Sequence, residues 1–87
     1  MTRLARPQTL LARVQAVWIQ SVGPAVAAES EPLSEREGTV LVACSSAVWA
    51  QELDLLEVEL RERLNKALGA AADAGVGSLR FRVRQPG

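Results

Sequence analysis

Few residues in this chain could do covalent chemistry, and their spacing argues for binding instead. There is no histidine and no tyrosine, and there is one cysteine. No carboxylate can be placed with Cys44 or with a serine at the spacing of a nucleophile and its base. The chain therefore reads as a non-enzyme. Cys44 stands just before a predicted helix N-terminus, where a thiolate can be stabilised. It also shares a strand face with Val40 and Val42, which makes it a packed core residue instead. One cysteine without histidine cannot close a structural zinc site. Gly69, Gly75 and Gly77 lack the Lys-Ser/Thr of a phosphate loop and follow no strand. No metal, nucleotide or other cofactor is expected, and no small-molecule substrate.

The pattern that points to a ligand is Leu79-Arg80-Phe81-Arg82-Val83-Arg84, a strict alternation of apolar and basic residues. In a strand, residues two apart are about 6.6–6.8 Å apart on one face. That spacing is comparable to phosphates along an extended nucleic-acid backbone, so Arg80, Arg82 and Arg84 are candidate nucleic-acid contacts. Arg13 and Lys66 are further candidate cations. The competing reading is a solvated face whose guanidiniums protect an edge strand from aggregation, and the sequence leaves both open. Stacking aromatics to accompany the arginines are missing, so only weak binding of single-stranded DNA is expected. Trp18 and Trp49 are the only aromatic residues besides Phe81. Either both fill the core, or one keeps an exposed edge as an anchor for a protein partner.

The elements that must hold these residues follow from periodicity. Leu10, Leu11, Val14, Val17, Trp18 and Val22 recur at three- and four-residue spacings, predicting an amphipathic helix over 9–22 that Gly23-Pro24 stops or kinks. Val26, Ala27 and Ala28 can add a turn. Thr39–Cys44 is dense in β-branched residues and predicts a strand. The segment around Leu33 can pair with it as a hairpin, with Pro32 confining that strand to an edge. Ser45-Ser46 offers a cap to a second helix, along which Trp49, Leu53, Leu56, Leu60, Leu64 and Leu68 form one stripe. Glu57 with Arg61, Glu59 with Arg63 and Glu62 with Lys66 are acid-before-base pairs at i,i+4. Gly69 ends the helix, residues 70–77 form a loop or a short helical turn, and residues 79–84 form the last strand. The expected fold is a two-layer α+β domain in the order α-β-β-α-β, with two helices packed on one face of a three-stranded sheet.

The 87 residues suffice for one domain, expected to span 1–87 with residues 1–7 and 85–87 flexible. No apolar run approaches the roughly 18–20 residues that cross a bilayer, so no membrane role is expected. The first residues lack the pattern of a secretory signal, and a lone cysteine suits a reducing compartment, so a cytoplasmic monomer is expected. Ten basic and ten acidic residues cancel overall but are segregated along the chain. Arginines gather towards both ends, while Glu29, Glu31, Glu35 and Glu37, and then Glu52, Asp54, Glu57 and Glu59, make acidic patches. The domain should be electrically two-faced.

Taken in order, Leu10-x3-Val14-x3-Trp18-x4-Gly23, Ser30-x-Pro32-Leu33, Gly38-Thr39-Val40-Leu41-Val42, Ser45-Ser46-x2-Trp49-Ala50-x2-Leu53, Leu64-Asn65 and Leu79-Arg80-Phe81-Arg82 resemble the DciA family of bacterial replicative-helicase loaders or operators. The stretch at 45–53 is the most distinctive. The resemblance implies a KH-like fold, contact with a hexameric DnaB-type helicase, and help in placing that ring on single-stranded DNA without ATPase activity. The GxxG loop of RNA-binding KH domains is absent. A KH-like module that binds RNA or DNA independently of a helicase is the alternative, and the near-zero net charge counts against it.

Overall fold

In a computed structural model that describes residues 9–69 and 75–85, the order is α1 (Leu10–Val22), α2 (Pro24–Ala28), β1 (Ser30–Arg36), β2 (Thr39–Cys44), α3 (Ala47–Leu55), α4 (Glu57–Leu68) and β3 (Ser78–Val83). The α+β class and all three expected strands are present. The element order is not the expected α-β-β-α-β, because each expected helix is divided in two. The flexibility expected for 1–7 and for 86–87, and the conformation expected for 70–74, concern residues outside those described.

The first division follows from local chemistry. Thr9 caps α1 by accepting from the Ala12 N–H at 3.1 Å. Gly23 ends it at φ +92°, a conformation that favours glycine, and Pro24 opens α2 at the position where its missing N–H costs nothing. The second division falls at Leu56, with φ −102° and ψ 12°, and no proline or glycine marks it. Tertiary demand supplies the reason. α3 lies against β2 and β3, whereas α4 packs chiefly against α1. A straight helix over 47–68 would run about 33 Å, longer than strands of six residues at about 20 Å, so it bends to serve both partners. Leu56, expected on the buried stripe, is 42% exposed as a result.

The sheet order is β1-β2-β3, with β1 and β2 antiparallel and β2 and β3 parallel. The parallel pairing uses α3 and α4 as its crossover. β1 is an edge strand, as Pro32 requires, and its register shifts between Pro32 and Ser34. The hairpin turns through Glu37 at φ +51° and Gly38 at φ +85°. All helices pack on one face, where Val40, Val42, Cys44 and Leu79 meet Val14, Trp18 and Val22 of α1, Leu53 of α3, Leu60 and Leu64 of α4, and Val76. Burying each large aliphatic side chain contributes roughly 1.5–3 kcal/mol. The opposite face of the sheet carries no helix among the described residues, and it is there that the arginine alternation is displayed.

Candidate functional site

β3 pairs with β2 so that Arg80 lies opposite Leu41 and Arg82 opposite Ala43, which puts these four residues on the open face. The Arg84 N–H continues the ladder by donating to the Cys44 carbonyl at 2.7 Å. On the other side of β2, Arg36 stands opposite Thr39 and adds a fourth guanidinium to the same surface. All four arginines are exposed. Arg84 pairs with Glu31 at 3.2 Å, an ion pair more than half exposed at both ends and hence worth at most about 1 kcal/mol. Arg80, Arg82 and Arg36 make no ion pair among the described residues.

The floor beside Arg82 and Arg84 is apolar. Leu33, pushed out by the β1 irregularity and 48% exposed, joins Leu41, Ala43 and Val83 beneath Arg82 and Arg84, lining a shallow depression of about 450 Å³. This surface can attract a polyanion by charge and cover its apolar parts, but it offers no ring for bases to stack on. Phe81 lies on the helix side, opposite Val42, as do both tryptophans.

The other candidate residues stand elsewhere. Arg13 donates from Nη2 to the Leu68 carbonyl at 3.1 Å, satisfying the C-terminal end of α4 from α1. Lys66 is exposed on α4. Both therefore belong to the helix layer, and the fold does not bring them to the strand arginines. Trp18 is 4% exposed and donates its indole N–H to the Ser30 hydroxyl at 3.2 Å, while that hydroxyl donates to the Val26 carbonyl at 2.6 Å. It fills the core and ties α1 to β1. Trp49 is half-buried at the start of α3, where its backbone N–H donates to the Ser46 cap at 3.2 Å, and it packs against the core. Cys44 is fully buried; burial pushes its thiol up, and the positive charge of Arg84 opposes the shift only in part.

Two residues that hold β3 in place were not legible as such in the sequence. Glu57 accepts from the Leu79 N–H at 2.9 Å and from Arg61 Nε at 2.9 Å, so one carboxylate caps the outer edge of β3 and pairs along α4. Burial pushes its carboxyl up, but the hydrogen bonds from Arg61 and Leu79 outweigh this and leave it below the usual range. Asn65 clamps the approach to β3 by donating to the Val76 carbonyl at 2.9 Å and accepting from the Val76 N–H at 2.7 Å. Glu57 showed only its i,i+4 partner in the sequence, and Asn65 only a place beside Leu64. The Glu57–Arg61 and Glu59–Arg63 pairs form as expected; Glu62 with Lys66 is not among the described ion pairs.

No group of three or more Cys, Asp or Glu among the described residues is arranged to hold a metal ion. No described helix is long and apolar enough to cross a membrane.

Comparison with known proteins adds two observations. Residues 2–81 match the family model described as Dna[CI] antecedent, DciA. Over 64 residues the chain is 34% identical to a UPF0232 protein of Rhodococcus jostii (strain RHA1), a match that covers 74% of this chain and 32% of that protein. The chain thus spans about a third of the length of that relative.

Proposed function

The chain belongs to the DciA family, and from that premise we propose that it is a non-enzymatic adaptor in DNA replication, which binds the replicative DnaB-type helicase and helps place it on single-stranded DNA. It would act in the cytoplasm, without a cofactor. The sheet with helices on one side, with each expected helix divided, is read here as KH-like in its general plan. The observation that carries the nucleic-acid half of the proposal is the open sheet face, where the register puts Arg36, Arg80, Arg82 and Arg84 on one side, with an apolar depression beside Arg82 and Arg84, and where, among the described residues, only Arg84 makes an ion pair. A strand laid along β3 would meet one guanidinium about every 6.6 Å.

Contacts of this kind give weak, salt-dependent affinity without sequence preference. Each phosphate neutralised on a single strand contributes about 0.7 to the slope of log affinity against log salt. Fluorescence anisotropy of a labelled oligothymidylate over a salt series tests the assignment. Replacing Arg80, Arg82 and Arg84 together by alanine should flatten the slope by about 2. An unchanged slope would remove the open face from the proposal. Arg13→Ala should leave the slope unaltered, because its guanidinium is engaged with the end of α4.

A further inference from the structure

The bend between α3 and α4 leaves apolar surface that the fold does not use. Seven large apolar residues are exposed among the described ones, and three of them stand at this bend, Leu55 at 76%, Leu56 at 42% and Val58 at 57%, with Val48 at 69% two turns earlier in α3. Val48 and Leu55 are seven residues apart and so share one side of α3, with Glu52 between them. Leu56 is the junction residue and Val58 stands in the first turn of α4, so both are exposed within three residues of Leu55. In a small domain with 48% hydrophobic residues overall, such clustering is not the scatter of single exposed side chains that any surface shows.

Charge around the corner is one-sided. Glu52, Asp54, Glu57, Glu59 and Glu62 lie along this stretch against Arg61 and Arg63, each of which is already paired with Glu57 or Glu59, while Asp54 and Glu57 share a depression with Arg80 at the β3 edge. Glu52, Asp54 and Glu62 have no ion-pair partner among the described residues. A nucleic acid would be repelled, and so would the surface of an acidic protein. The surface fits a partner that offers an apolar pocket bordered by lysine or arginine.

We propose that the outer corner of the α3–α4 bend, centred on Leu55 and Val58, is a protein-docking surface that inserts into a basic-rimmed apolar pocket of the helicase. The inference rests on the adaptor reading above, and it gives the two halves of that function different surfaces, which adjoin where Arg80 shares a depression with Asp54 and Glu57. The helix corner takes the protein and the arginine sheet face takes the strand. Both can then be engaged at once.

Titration calorimetry of the intact chain against purified replicative helicase from the same bacterium tests the proposal. Leu55→Ser with Val58→Ser should weaken binding at least tenfold, while circular dichroism and oligothymidylate anisotropy stay at the parent values. Both side chains are mostly exposed, so the fold should tolerate the change. A second variant, Glu52→Lys with Glu59→Lys, should also weaken binding, and Ile19→Ser, on the exposed side of α1, should not. If the parent binds the helicase and the Leu55/Val58 variant binds within twofold of it, the docking surface is wrong and the adaptor reading stands. If the parent shows no binding, both fall. If the parent self-associates in light scattering and the variant does not, the corner serves a second copy instead and the proposal is overturned.

Discussion

Replacing Glu57 by alanine should destabilise the domain out of proportion to its partial exposure, because the carboxylate is the cap on the outer edge of β3. The Leu79 N–H, on a residue 3% exposed, loses its acceptor at 2.9 Å. A buried donor left without a partner costs about 1–3 kcal/mol. Loss of an acidic residue from the first turn of α4 adds about 0.3–1 kcal/mol. For a domain whose total stability is of the order of 5–15 kcal/mol, that is a large fraction. With a urea slope of about 1 kcal/mol/M, the midpoint should fall by roughly 1–4 M, read from tryptophan fluorescence. Glu57→Gln keeps an oxygen for Leu79 and should cost about 1 kcal/mol. The pH dependence has a definite sign. The folded-state pKa lies below the ordinary value of 4.5, so the stabilisation is complete above that value and is lost as pH falls through the lowered one. The gap between parent and Glu57→Gln should therefore close under acid. A Glu57→Ala midpoint within 0.3 M of the parent, or a gap that widens under acid, would refute the reasoning about how β3 is held.

Other expectations follow from the same structure. Glu37 is a non-glycine residue at φ +51° followed by Gly38 at φ +85°, so Glu37→Asn should stabilise the hairpin by about 0.5–1 kcal/mol in urea unfolding. Equal or lower stability would show that the turn tolerates glutamate without strain. Cys44 should be inert to a thiol-specific reagent in native buffer and react fully in denaturant, since it is fully buried and its thiol is pushed up. Trp18→Phe should cost about 1 kcal/mol or more through its lost hydrogen bond to Ser30, with a further cost from the gap the smaller ring leaves in the core. The native fluorescence remaining in that variant should report Trp49 alone and be quenched by acrylamide.

What could be read from the sequence was what local pattern dictates. The Pro32 edge strand, the kink at Gly23-Pro24, the cap at Ser46 and the inward Leu79 and Phe81 each depend on backbone chemistry or on a period of two or 3.6. The bend at Leu56 was not legible, because nothing in Leu55-Leu56-Glu57 breaks a helix. α3 bends there because it must follow β3 while α4 follows α1. The candidate site was legible in the same uneven way. The alternation in β3 placed Arg80, Arg82 and Arg84 on one face, but Arg36 joined them only through the hairpin register. Arg13 and Lys66 share the positive charge of those residues and not their surface. Glu57 and Asn65 could not be recognised as supports of β3 without knowing what lies beside α4, since their partners are backbone groups 22 and 11 residues away.

The most direct test of the adaptor account is helicase loading itself, measured as unwinding of a short duplex annealed to a closed single-stranded circle, with helicase and chain added together. Unwinding should rise with added chain until the helicase is saturated, and Arg80/Arg82/Arg84→Ala should give a smaller rise. Unwinding that stays flat at every ratio, with a helicase active on a forked substrate in the same buffer, would contradict it.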